Sequence, residues 1–142
     1  MLAAAWALNA AAGAALAGGP LSPEAAHQMA ARGRVALIDV RSPREWRQTG
    51  IALGARAVTI HNPDGAGAFA REVLRVLGGD RSRPVALICA AGVRSARARR
   101  ILESNGFTDV YDVSAGMSGT AHRSGWIARG LPVRPCAGRN AC

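Results

Sequence analysis

The sequence predicts an α/β domain whose mainly parallel central sheet is covered by helices on both faces. Three observations carry that expectation. Val35-Ala36-Leu37-Ile38-Asp39-Val40 and Val85-Ala86-Leu87-Ile88 are short, near-continuous apolar runs, the pattern of strands buried on both faces. Helical stretches with one apolar stripe alternate with such runs along the chain. The 142 residues, 49% of them hydrophobic, are enough for one domain around one core.

The elements follow in order. Ser22-Pro23-Glu24 starts a helix, with an N-cap, a proline at the first helical position and an early acidic residue. Gly33 stops it, and the run 35–40 is the first strand. Ser42-Pro43-Arg44-Glu45 has the form of a capping box, Ser42 as N-cap and Glu45 three residues on. The short helix it opens, through Trp46, is expected to end at Gly50. Ala57-Val58-Thr59-Ile60 is the next strand and Asn62-Pro63-Asp64-Gly65 a turn. Phe69, Val73, Leu74 and Leu77 mark one face of an amphipathic helix closed by Gly78-Gly79. The run 85–88 is the next strand. Ala98, Ile101 and Leu102 form a second apolar stripe, ended by Asn105-Gly106. Val110-Tyr111-Asp112-Val113 is a further strand. Gly116 and Gly119 read as a flexible connection, Trp126-Ile127 as part of a last helix ending at Gly130, and Pro132 onward as a loose tail.

Composition limits the function classes. Every one of the 18 basic residues is arginine, and the net charge is +9. Abundant Arg, Ala and Gly together look like coding bias, which weakens a functional reading of that charge. A basic surface can steer small anions. There is no nucleic-acid motif and no aromatic interleaving, so no nucleic-acid partner is expected. His27, His61 and His122 are scattered without ligand spacing, and no metal site is expected.

Residues 1–19 contain no charged side chain, and Ala15-Leu16-Ala17 before Gly18 has the small-x-small form of a signal-peptidase site. We read this stretch as a signal peptide, with an uncleaved anchor or an appended leader as alternatives, since a basic n-region is missing. The domain is then expected over residues 20–133 and a flexible tail over 134–142. Export implies a periplasmic or secreted protein; the alternative is cytoplasmic. Cys136 and Cys142 lie close in the tail and can pair outside the cytosol, or stand as two exposed thiols without a role.

Cys89 carries the chemistry. It lies at the carboxyl end of an apolar strand, and Ala90-Ala91-Gly92-Val93-Arg94-Ser95 leads into a helix. Ligands bind at this end of the strands in such sheets, and backbone N–H groups at a helix N-terminus face an incoming anion. The helix dipole and Arg94 favour the thiolate, the reactive form of cysteine. Gly92 permits φ > 0 where successive amides converge. Cys89 is the candidate nucleophile, with Ala90, Ala91, Gly92, Val93, Arg94 and Ser95 as its substrate cradle. A buried core cysteine is the bland alternative. Asp39 and Arg41, at the end of a strand, are read as a structural ion pair or loop brace, with Arg41 touching substrate as the alternative. Trp46 and Trp126 are read as packing residues, and Arg97, Arg99 and Arg100 as a solvated helix face.

Four segments in order resemble a single-domain rhodanese, a sulfurtransferase: Leu21-Ser22-Pro23-Glu24; Ile38-Asp39-Val40-Arg41-Ser42-Pro43-Arg44-Glu45-Trp46; Cys89-Ala90-Ala91-Gly92-Val93-Arg94-Ser95; and Gly116, Gly125-Trp126 with Gly130-Leu131-Pro132-Val133. The resemblance implies a three-layer rhodanese-like fold. It also implies transfer of a sulfane sulfur from thiosulfate or a persulfide, through a Cys89 persulfide, to an acceptor such as cyanide or a thiol. No cofactor is implied. The partners are small sulfur-containing anions or thiols, or a sulfur-acceptor protein, and the chain is expected to be a monomer. The alternative is a non-catalytic sulfur carrier or partner-binding module. Related dual-specificity phosphatases have one more residue between Cys and Arg; the shorter loop here makes a smaller bowl that suits sulfur. One departure stands out. The family usually has Gly-His-Ile-Pro-Gly-Ala where this chain has Gly50-Ile51-Ala52-Leu53-Gly54-Ala55, which puts local packing and the usual substrate in question.

Overall fold

The computed structural model describes residues 17–136 and residue 142. The first sixteen residues of the proposed signal peptide therefore lie outside the described residues. The elements are β1 (Ala17–Pro20), α1 (Pro23–Ala31), β2 (Ala36–Asp39), α2 (Pro43–Thr49), β3 (Ile51–Ala52), β4 (Arg56–Ala57), α3 (Ala66–Val76), β5 (Val85–Ile88), α4 (Val93–Ser104), β6 (Asp109–Val113) and β7 (Val133–Arg134). Five strands form an all-parallel sheet in the order β1-β6-β5-β2-β4, and β3 pairs antiparallel with β7.

Strand β5 lies at the centre of the sheet and is fully buried. Its side chains alternate between two cores, as the period of a strand requires. Leu87 joins Ile38, Phe69, Val73, Ala98 and Leu102 on the face covered by α3 and α4. Ala86 and Ile88 join Leu37, Ala26, Trp46, Met117 and Trp126 on the face covered by α1 and α2. The expected sandwich of helices about a parallel sheet is therefore present.

The helix starts follow their local chemistry. Ser22 caps α1 through a hydrogen bond from the Ala25 N–H at 3.1 Å. Both arms of the Ser42–Glu45 capping box are made. Gly50, at φ +75°, closes α2, and a Cβ there would meet the Arg134 carbonyl oxygen at 2.6 Å.

Several sequence expectations change. The residues around Trp126 and Ile127 form turns, not a helix. The Trp126 and Ile127 N–H groups donate to the carbonyls of Gly116 and Met117 instead of to a preceding helical turn. Tertiary pairing takes the donors a helix would have used. Strand β4 is only Arg56–Ala57, although the Val58 and Ile60 N–H groups still reach the carbonyls of Asp39 and Val40. Ala17–Gly19, read as the end of the leader, lie in the edge strand β1 beside β6. Val133–Arg134, at the start of the supposed tail, pairs with β3, and Cys136 forms a disulfide with Cys142.

Trp126 is fully buried and its indole N–H donates to the Pro132 carbonyl at 2.9 Å. Trp126→Ala is expected to cost about 3–5 kcal/mol through the cavity it leaves, measured by chemical denaturation.

Candidate active site

The site is built where β5 ends. The strand delivers Cys89 with 1% of its surface exposed. The Gly92 N–H donates to Cys89 Sγ at 3.1 Å, and the Cys89 thiol donates to Ser95 Oγ at 3.4 Å. The Ser95 hydroxyl in turn donates to the Gly92 carbonyl at 3.2 Å and is fully buried. Of the predicted cradle, the structure therefore brings Gly92 and Ser95 directly to the sulfur. Ala90, Ala91 and Val93 shape the loop with uncharged side chains, and Val93 is 79% exposed at its rim.

Gly92 is the N-cap of α4 at φ +97°, and a Cβ there would collide with the Ser114 carbonyl oxygen. Glycine is thus required twice, by its backbone angle and by the close approach. The loop is braced from the same side. The Met117 N–H donates to the Cys89 carbonyl at 2.8 Å, and those of Ser118 and Gly119 to the Ala90 carbonyl at 2.9 and 3.2 Å. Gly116, at φ +69°, leaves no room for a Cβ against Ala90. The expected flexible connection at Gly116 and Gly119 is instead a fixed wall, because its N–H groups are hydrogen-bonded to the Cys89 and Ala90 carbonyls and its glycines pack against backbone.

Arg94 does not turn to the sulfur with its hydrogen-bonding groups. Its two terminal nitrogens bind both carboxylate oxygens of Glu45 at 2.7 Å each. This side-by-side geometry is the strongest arrangement for such a pair. Glu45 holds the guanidinium in place while capping α2 with its Oε2. The Arg94 hydrogen bond holds the Glu45 carboxyl down at about 2, well below its usual value of 4.5. Glu45 was legible in the sequence only as half of a capping box; its hold on Arg94, 49 residues away, was not.

Asp39 and Arg41 sit beneath this clamp, both essentially fully buried. Arg41 Nε and Nη2 donate to Asp39, Nη1 to Thr49 Oγ1, and Nη2 also to the Gly50 carbonyl. The Trp46 indole N–H donates to Asp39 Oδ1 at 3.1 Å. The pair is hydrogen-bonded as a brace at the strand end, with the Arg41 side chain 1% exposed. Ile51, at the position of the family's histidine, is fully buried in the core and paired with Arg134. The departure is thus absorbed by apolar packing.

Sequence reasoning also passed over Asp112, a carboxylate on β6. It lies on the α3–α4 face of β6, with Ser95 and Arg99 acting on it from α4. Its Oδ1 is buried without a hydrogen-bond partner. Burial pushes its pKa up, against the pull of Ser95 and Arg99.

The family model for the Rhodanese-like domain matches residues 22–122. Among solved structures, Rv0390 from M. tuberculosis is 32% identical with a TM-score of 0.63, covering 83% of this chain and 98% of its own. A polysulfide-sulfur transferase homodimer from Wolinella succinogenes is 25% identical with a TM-score of 0.60, covering 87% and 82%. The Rickettsia prowazekii protein RP600 is 26% identical over 98 residues, 68% of this chain and 80% of that one. The chain belongs to the rhodanese-like domain family.

The depressed Glu45 value fixes a pH dependence. A carboxyl held below its unfolded value adds stability that is complete above about 4.5 and is lost as the pH falls toward about 2. Glu45→Gln is expected to lower stability by about 1–2 kcal/mol near neutrality. It should also flatten the fall between those pH values, as read from denaturant midpoints across the acid range.

Proposed function

We propose that the protein is a sulfurtransferase that carries a sulfane sulfur on Cys89. The observation that carries this reading is the Gly92 N–H aimed at Cys89 Sγ, in a short uncharged loop at the carboxyl end of the central strand. A backbone donor so placed stabilises negative charge on the sulfur, first as thiolate and then as persulfide. The Cys89 thiolate attacks the outer sulfur of the donor. The donor's S–S bond breaks, and sulfite or a thiolate leaves with the electron pair. An acceptor thiol or cyanide then attacks the outer sulfur of the persulfide and returns the Cys89 thiolate. No step needs a redox change from outside.

The donor we propose is thiosulfate or a persulfide. The Wolinella relative, named for polysulfide-sulfur transfer, adds polysulfide to that class. Each brings the same S–S bond. Phosphate transfer is disfavoured by the six-residue span from Cys89 to Arg94 and by the engagement of both Arg94 terminal nitrogens with Glu45.

A second reading is a sulfur carrier that hands its persulfide to a partner protein. The exposure of Val93 at the loop rim favours it, as an apolar contact beside the reactive sulfur. We further propose that the protein works in an oxidising compartment, periplasmic or secreted. The paired Cys136 and Cys142 support this.

Sulfur transfer to cyanide, measured with thiosulfate, with glutathione persulfide and with polysulfide, tests the function. The expected result is turnover with at least one donor and an adduct of about 32 Da, one sulfur atom, on Cys89. Cys89→Ser should lose both. An adduct without turnover points to the carrier. Neither adduct nor turnover with any donor removes the proposal.

A further inference from the structure

We infer that Arg123 selects the sulfur donor, by binding the oxyanion end of thiosulfate at the lip of the Cys89 loop. This rests on the reading of Cys89 as the sulfur carrier, and it narrows the donors which that reading leaves open.

The sheet brings Arg123 to the site from far along the chain. Ile88 of β5 lies in register with Val113 of β6. The next residue after each strand, Cys89 and Ser114, therefore leaves the sheet beside the other, about 5 Å apart. The Ser114 carbonyl closes the loop from that side, against Gly92. Arg123 Nη1 donates to Ser114 Oγ at 3.2 Å. A tight turn carries Arg123 back to this position. The Ser118 and Gly119 N–H groups tie its start to the Ala90 carbonyl at 2.9 and 3.2 Å, and the Thr120 N–H donates to the Arg123 carbonyl at 2.8 Å. Gly119, at φ +75°, packs against that same carbonyl. The turn is thus fixed at its base to the Cys89 loop, and through the Arg123 side chain to the residue beside Cys89.

The charge of Arg123 is open to a ligand. Arg41 and Arg94, the arginines of the brace and the clamp, are occupied by Asp39 and Glu45. Arg123 is exposed, and among the described residues it makes no ion pair and its side chain has the single hydrogen bond to Ser114. That bond uses Nη1. Nε and Nη2 remain, and their N–H groups lie on one edge of the planar guanidinium. Such an edge fits two oxygens of a single oxyanion. Ala90, Ala91 and Val93 of the loop bring no charge of their own. Thiosulfate carries three oxygens on the sulfur that leaves, whereas a persulfide carries carbon there.

The transfer step then has a donor at each end. The Cys89 thiolate attacks the outer sulfur of thiosulfate, and a new S–S bond forms on Cys89. The S–S bond of thiosulfate breaks, and sulfite leaves with the electron pair. Arg123 faces the oxygens of that sulfite, where the charge gathers. The Gly92 N–H faces the sulfur that stays. Arg123 acts on the far end of the donor, so the neutral surroundings of Cys89 Sγ are unchanged.

The test reads charge at the lip separately from sulfur transfer, in the full chain with the tail disulfide intact. Cys89 is alkylated at low salt with iodoacetate, an anion, and with iodoacetamide, its neutral counterpart. Arg123→Gln should slow iodoacetate about tenfold relative to iodoacetamide, the size of one close charge contact. Arg123→Lys should restore part of the ratio, and salt at about 1 M should remove the difference. Arg83→Gln, an equal loss of charge at the opposite end of β5, should leave the ratio unchanged. A second measurement follows the adduct of about 32 Da, one sulfur atom, on Cys89. Arg123→Gln should slow its formation from thiosulfate about tenfold and leave that from glutathione persulfide unchanged. An unchanged ratio in Arg123→Gln, both alkylating agents slowed alike, or an adduct from the persulfide but none from thiosulfate would each overturn the inference and leave sulfur transfer standing. No adduct from any donor would remove the sulfur-transfer reading and the role of Arg123 with it.

Discussion

The buried ion pair of Asp39 and Arg41 is the constraint on which the site depends. Both charges are out of water, which is tolerable only when every oxygen and N–H has a partner. The partners come from the next element, α2, and its C-terminal cap. Trp46 of α2 donates to Asp39, and Thr49 and Gly50 accept from Arg41. The orientation of α2 against the end of β2 is therefore fixed by electrostatics as well as by packing. That orientation brings Glu45 to Arg94, and Arg94 belongs to the first turn of the helix that the Cys89 loop opens. A buried pair two residues apart in sequence thus holds the mouth of a site built on another strand.

A second constraint comes from the opposite side. The turn after β6 approaches the Cys89 loop so closely that Gly92 and Gly116 have no space for a side chain. Backbone donors from Met117, Ser118 and Gly119 take the loop carbonyls. The sulfur therefore sits between a side-chain clamp and a backbone wall. The high positive charge of the chain does not reach it as free cations. Arg41 is spent on Asp39, Arg94 on Glu45, and Arg99 is tied to Glu103. What remains at the sulfur is a neutral pair, a buried serine and a backbone N–H. This environment stabilises one negative charge without making a general anion trap.

How much of this was legible in the sequence depends on the range of each interaction. The capping box at Ser42, the proline start of α1, the glycine stops and the strand β5 with Cys89 at its end are local patterns, and each forms where the residues indicate. The brace of Asp39 and Arg41 was also legible, because the two lie side by side at a strand end. The helix expected at Trp126 failed for the opposite reason. Its backbone donors are claimed by Gly116 and Met117, about ten residues earlier, and no local preference competes with that pairing. The turn at Gly116 and Gly119 looked flexible because glycine permits any conformation; only the approach of the Cys89 loop shows that one conformation is required.

The sequence by itself determined the alternation of strands and helices, the family pattern and the place of the candidate cysteine, Cys89, before its left-handed glycine. These follow from periodicity, capping and the backbone freedom of single residues, all of which act over a few positions. The tertiary structure alone decided that Arg94 faces Glu45, that the Met117 N–H reaches the Cys89 carbonyl, and that the chain after Pro132 returns to pair with β3. Each of those joins residues far apart in sequence, and their distances are set by how two cores pack on one sheet.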